Sequence, residues 1–191
     1  SWFGRVERLG IEGPAAALER HKVRGVMDYF ARDFRASAGA CERAIDVARE
    51  LGLQYEIAVN LHNLSELLVR LGDYGRAFGA AQQSAALCAE GGYDRLANHN
   101  RMYLAFLDGL RGEGDARRQI EAALSYAEAN DYTWDVISGR WLLALLEERG
   151  GDVAKATQAY DRLRAVAKAS GHGLAVEDSD EALARLATPT S

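Results

Sequence analysis

The sequence predicts an all-α protein: a solenoid of about four helical hairpins closed by a C-terminal capping helix. Three observations carry that expectation. Proline is confined to Pro14 and Pro189, alanine-rich runs fill the interior, and one short turn pattern returns about every forty residues.

Proline breaks helix interiors because it lacks the backbone N–H and clashes with the preceding turn. Its absence between positions 14 and 189 therefore leaves room for long helices. Runs such as "GAAQQSAALCAE" and "EAALSYAEA" use alanine, the residue with the lowest cost in a helix. Alternating β-branched residues of the kind that mark strands are nearly absent. The 191 residues are 48% hydrophobic, enough for a packed interior. A net charge of -5 argues against a basic nucleic-acid footprint, so no nucleic-acid partner is expected for this segment. No apolar run reaches the roughly 18 residues of a membrane span, so no membrane partner is expected. Cys41 and Cys88 lie in alanine-rich helical stretches, where a free thiol fills a small packing slot. That usage suits a reduced, cytoplasmic setting.

The turn pattern is clearest in "RLGDYGRAFGAAQQSAALCAEGGY" (70–93). Slid along the chain it meets "GLRGEGDARRQIEAALSYAEANDY" (109–132) without a gap, Leu71 falling on Leu110 and Cys88 on Ala127. Further copies are "RGGDVAKATQAYDRLRAVAKASGH" (149–172) and "FARDFRASAGACERAIDVARELGL" (30–53). Self-similarity at this period indicates a stacked array. In "EIAVNLHNLSELLVRL" (56–71), Leu61, Leu64, Leu68 and Leu71 form one apolar stripe. Gly72 then suits the left-handed end of that helix, and Asp73 suits the cap of the next. The second helix offers the small residues Ala77, Ala80, Ala81 and Ser84, which permit close approach. One such hairpin cannot bury its stripe alone, so neighbours must stack.

The expected organisation is a helix tail from a preceding repeat (1–13), then repeats at 14–52, 53–92, 93–131 and 132–171. A capping helix (172–187), with Asp178 or Ser179 as its N-cap, and a disordered tail (188–191) follow. The opening "RVERLG" reads as the end of a second helix, so the chain is expected to be the C-terminal part of a longer protein. Trp2 and Phe3 would then lie on a bared N-terminal edge through which the chain could self-associate.

The residues "N-L…G-D-Y-x-x-A" followed by small residues resemble the tetratricopeptide repeat, over about residues 14–171. The period near 40 is similar to the long-helix variety found in kinesin light chains, bacterial Rap-type regulators, and the C-terminal halves of bacterial signalling ATPases and MalT-like activators. That resemblance implies a right-handed superhelix whose first helices line an inner, ligand-bearing face. It places His62, Asn63, Glu66 and Arg70 inward in the second repeat, with Val59 and Val69. Asn98 and Arg101 follow in the third repeat, with Met102, Ala105 and Asp108. Trp141 follows in the fourth, with Ser138, Leu142, Leu145 and Glu148. Glu19, Lys22, Val23 and Val26 do so in the first. Trp141 is left open between groove and core, since Trp134 lies seven residues before it on the same helix. A two-carboxylate clamp matches only at Lys22 and Asn63, with Val26, Asn98 and Met102 in the other slots, so that binding mode is not expected.

No catalytic constellation stands out. His21, His62, His99 and His172 are scattered, and no HExxH, phosphate loop or serine elbow is present. "GLRGEGD" falls where the repeat requires a turn. The expected function is a non-catalytic scaffold, with no metal and no cofactor, that recognises a protein or peptide within a larger bacterial signalling or transcription-regulatory protein. The alternative is a small-molecule sensor controlling an attached ATPase, kinase or DNA-binding module.

Overall fold

A computed structural model describes residues 13–188. The expectations about residues 1–12, including Trp2 and Phe3, and about 189–191 lie outside the described residues. Among the described residues there are nine helices and no strand: α1 (Pro14–Phe30), α2 (Phe34–Glu50), α3 (Gln54–Arg70), α4 (Tyr74–Gly91), α5 (Asp94–Leu110), α6 (Ala116–Ala129), α7 (Thr133–Arg149), α8 (Val153–Ser170) and α9 (Gly173–Leu186). They group into two compact units, the chain dividing within α5 between Asn100 and Arg101. In the first unit α1 packs on α2, α2 on α3 and α3 on α4. In the second, α6 packs on α7, α7 on α8 and α8 on α9. Within each unit these helices rest on their sequence neighbours, which is the arrangement of a helical-hairpin solenoid.

The repeated turn does what its residues suit it for. Gly72 adopts φ 77°, the left-handed conformation that glycine takes without a Cβ penalty. The same slot in the first hairpin is Arg32 at φ 62°, a conformation that disfavours a side chain. Asp33, Asp73, Asp115 and Asp152 each cap the helix that follows, the carboxylate accepting from the N–H of Ala36, Arg76, Arg118 and Lys155 at 2.9, 3.3, 3.1 and 3.0 Å. These bonds satisfy donors that a helix start otherwise leaves open.

Small residues at i, i+4, i+7 and i+11 build the buried seam of the second helices. They are Ser37, Cys41, Ala44 and Ala48 on α2, and Ala77, Ala81, Ser84 and Cys88 on α4. Ala116, Ile120, Ala123 and Ala127 take these positions on α6, and Ala156, Tyr160, Leu163 and Ala167 on α8. All sixteen are buried, so the gapless alignment of the copies is also an alignment of the core. Helix α6 nevertheless starts late. Glu113, Gly114 and Asp115 stay outside it, and Asp115 caps about one turn further in than Asp73 does on α4.

The C-terminal helix corrects one expectation. It begins at Gly173, and its N-cap is His172, whose Nδ1 accepts the Ala175 N–H at 3.1 Å. Asp178 and Ser179 lie inside the helix, with Ser179 Oγ donating to the Ala175 carbonyl at 2.7 Å. Gly171, at φ 72°, ends α8 and turns the chain directly into α9, as the other repeats turn into their first helices.

Candidate functional site

On α3 the residues Val59, Asn63, Glu66 and Arg70 fall at i, i+4, i+7 and i+11, one stripe of the helix. The apolar stripe of Leu61, Leu64 and Leu68 lies on its opposite face and is buried. Asn63 is exposed, with no hydrogen bond or ion pair to its side chain among the described residues. The charges beside it are all committed within the protein. Tyr29 on α1 donates its hydroxyl to Glu66 Oε1 at 2.7 Å, and Arg70 Nε donates to the same oxygen at 3.2 Å. Arg70 Nη2 also donates to the Tyr29 hydroxyl at 3.2 Å, and the guanidinium lies 5.3 Å from the Tyr29 ring and 5.1 Å from the Phe34 ring. Burial pushes the Glu66 carboxyl up, but the Arg70 charge and the Tyr29 hydrogen bond outweigh it and leave the group below its ordinary range. Towards the other end of the same face, Lys22 Nζ reaches Glu19 at 3.0 Å and Glu56 at 3.1 Å. The contacts Lys22–Glu56 and Tyr29–Glu66 join α1 to α3 as polar rungs between successive first helices.

A third rung runs deeper. Ser84 Oγ on α4 donates to the Ala58 carbonyl on α3 at 2.7 Å, so it accepts from Asn100 Nδ2 on α5, at 2.8 Å. With its nitrogen donating, Asn100 offers Oδ1 to His62 Nδ1 at 2.9 Å. That direction puts the proton of neutral His62 on Nδ1. The His99 ring lies beside His62, centroids 4.1 Å apart and planes tilted by 48°.

The sequence-selected residues thus divide by environment. His62 (3% exposed) and Asn98 (4%) are buried in the first unit, where the Glu66 and Arg70 side chains are largely buried and paired and Asn63 is open. In the second unit Arg101 is exposed, with no hydrogen bond or ion pair among the described residues, while Trp141 is buried at 7% exposure. That places the Trp141 indole with the core. Leu142 beside it is fully buried, and Glu148 is held by Arg185 at 2.6 Å and by the Tyr160 hydroxyl at 2.6 Å. Burial, then Glu148, pushes the Tyr160 hydroxyl pKa up.

Sequence reasoning missed Tyr29, His99 and Asn100 as members of this arrangement. Their partners lie 37 or 38 residues away, and the only signal was the repeat itself, which puts residues about forty apart on neighbouring first helices. Val26, Met27 and Phe30 on α1 are exposed, and Met27 is 55% exposed where its equivalent, Leu67 on α3, is 2% exposed.

Among the described residues no group of three or more His, Cys, Asp or Glu side chains is arranged to hold a metal ion, and no helix is long and apolar enough to cross a membrane. Burial, then Glu66 and Glu42, pushes the Cys41 thiol up to about 12, and burial raises Cys88 as well, so both are poor nucleophiles at neutral pH.

Fold and face together define a helical-repeat protein, and the likeness to solved structures agrees. The chain superposes over 93% of its length on aspartyl phosphate phosphatase F from Bacillus subtilis, with a TM-score of 0.61 and 11% identity, and spans 47% of that protein. It superposes over 98% of its length on BtubC from P. vanneervenii, with a TM-score of 0.57 and 19% identity, covering 90% of that chain. Both are helical-repeat proteins, and at these identities the likeness extends to the fold. No protein-family model and no curated protein sequence matches the chain.

Proposed function

We propose that this chain is a long-helix tetratricopeptide-type scaffold that recognises a protein or peptide along the open face of its first helices, as a non-catalytic part of a larger bacterial signalling or regulatory protein. The observation that carries the reading is Asn63. Its free carboxamide offers both a donor and an acceptor, the pair a peptide unit requires, on a face whose charges are already paired internally. Such a face favours hydrogen bonding to a backbone over capture of a charged group. In the second unit Arg101 is a further open donor. Hydrolysis of an aspartyl phosphate, which the name of one structural neighbour denotes, is not part of the proposal.

Asn63→Ala and Arg101→Ala, made separately, are expected to leave the melting temperature within about a degree or two, as surface substitutions do. Each is expected to weaken binding of a peptide selected from a random library by roughly tenfold, about the worth of one hydrogen bond. Unchanged affinity in both variants would clear these residues of a role.

A second reading, a small-molecule sensor, is supported by a groove of about 390 Å³ on the opposite side of α3. Leu61, Leu64 and Leu68 floor it, and Glu42 and Arg76, paired at 2.6 Å, cross its rim. That size falls within the range of ligand pockets. Thermal-shift screening separates the readings, because a metabolite that binds the native state raises its melting temperature.

A further inference from the structure

The chain of buried polar groups linking α3, α4 and α5 uses one imidazole, His62, and a second, half-buried imidazole, His99, stands against it. His62 donates through Nδ1, which leaves Nε2 as the atom that takes up a further proton. His99 stands 4.1 Å away with its own Nε2 buried. Two rings so close, one buried and the other with its Nε2 shielded from water, resist carrying charge together.

The surroundings decide where a proton goes. On α3, Glu66 acts favourably with a charge on His62, but that carboxylate is already bound to Arg70 and to Tyr29 of α1. On α4 the group facing the network is the Cys88 thiol, 3.7 Å from Asn100 Nδ2 and held neutral. On α5, Arg95 opposes a charge on His99. Burial first, then His62 and Arg95, hold His99 well below the ordinary imidazole range.

We propose that the His62–His99 pair is a proton-operated latch: the closed contact between α3 and the α5 segment up to Asn100 excludes protons, and acid opens it. Once this contact opens, water reaches the rings, which then titrate near their ordinary value of about 6.5. The sign follows from proton linkage. Above that value neither state binds the proton and the latch is fully closed. As pH falls below it, the open state gains protons that the closed state refuses. One such imidazole shifts the opening equilibrium about tenfold between about pH 7.5 and 5.5. The latch lies directly behind Asn63, the residue after His62, yet it does not depend on what binds there.

Amide hydrogen exchange on the whole chain tests this at those two pH values, after correction for the intrinsic chemical rate. Protection in α3 and in residues 94–100 is expected to fall about tenfold at the lower pH. In His99→Gln it is expected to stay constant. His21→Gln serves as the control: burial, then Arg43 and Arg20, hold that α1 imidazole low too, but it lies outside the pair, so the response is expected to persist. Equal protection at both pH values, or a full response in His99→Gln, would overturn the latch. If His99→Gln fails to fold, imidazole NMR of the unaltered protein decides. A His99 midpoint well below about 6.5 supports the latch, and a midpoint at or above it overturns the idea.

Discussion

Arg70→Ala is expected to destabilise the protein by about 3–5 kcal/mol, the usual cost of removing one partner of a buried ion pair. Arg70 is 8% and Glu66 15% exposed at the side chain, so the substitution strands a carboxylate away from water. It also withdraws the guanidinium packed against the Tyr29 and Phe34 rings. Urea unfolding at neutral pH measures the loss. Glu66→Gln in the same background is expected to recover part of it, because the stranded charge disappears. A cost below about 1 kcal/mol, as for an exposed pair, would show that solvent reaches the site. The pH dependence has a definite sign. Glu66 is held below the ordinary carboxylate range, so its contribution is complete above that range and fades as pH falls through the lowered value.

Leu68→Ala is expected to cost about 2–5 kcal/mol, the range for truncating a buried leucine when the cavity does not collapse. Leu68 is 2% exposed and shares its surroundings with Ile45, Leu61, Leu64 and Ala80. In a stacked array each hairpin is stabilised by its own contacts and by its neighbours. Hydrogen exchange in the variant is therefore expected to rise first in α2, α3 and α4. A uniform rise across α1 to α9 would point to a single cooperative core.

Much of the fold was legible because the repeat writes the same local physics several times. The left-handed Gly72 followed by the capping Asp73, and the small residues at Ala77, Ala81, Ser84 and Cys88, each name a structural role from residue type alone. The start of α9 was misread because Asp178 and Ser179 are good caps by type. A histidine cap is visible only once Gly171 is known to end α8. The candidate face was legible in part. Asn63 and Arg101 are exposed. The burial of His62 and Asn98 was not readable, since periodicity places a residue on a face without saying how closely the next helix approaches. Trp141 shows the same limit: seven-residue spacing suits a groove as well as a core, and its burial decides for the core.

The most direct measurement is an amide chemical-shift titration of the whole chain with a library-selected peptide. Saturable shifts centred on Val59, Asn63, Glu66 and Arg70, with roughly tenfold weaker affinity in Asn63→Ala, are the expected result. Shifts confined to the Leu61–Leu64–Leu68 side of α3, or no peptide that saturates, would contradict the proposed recognition face.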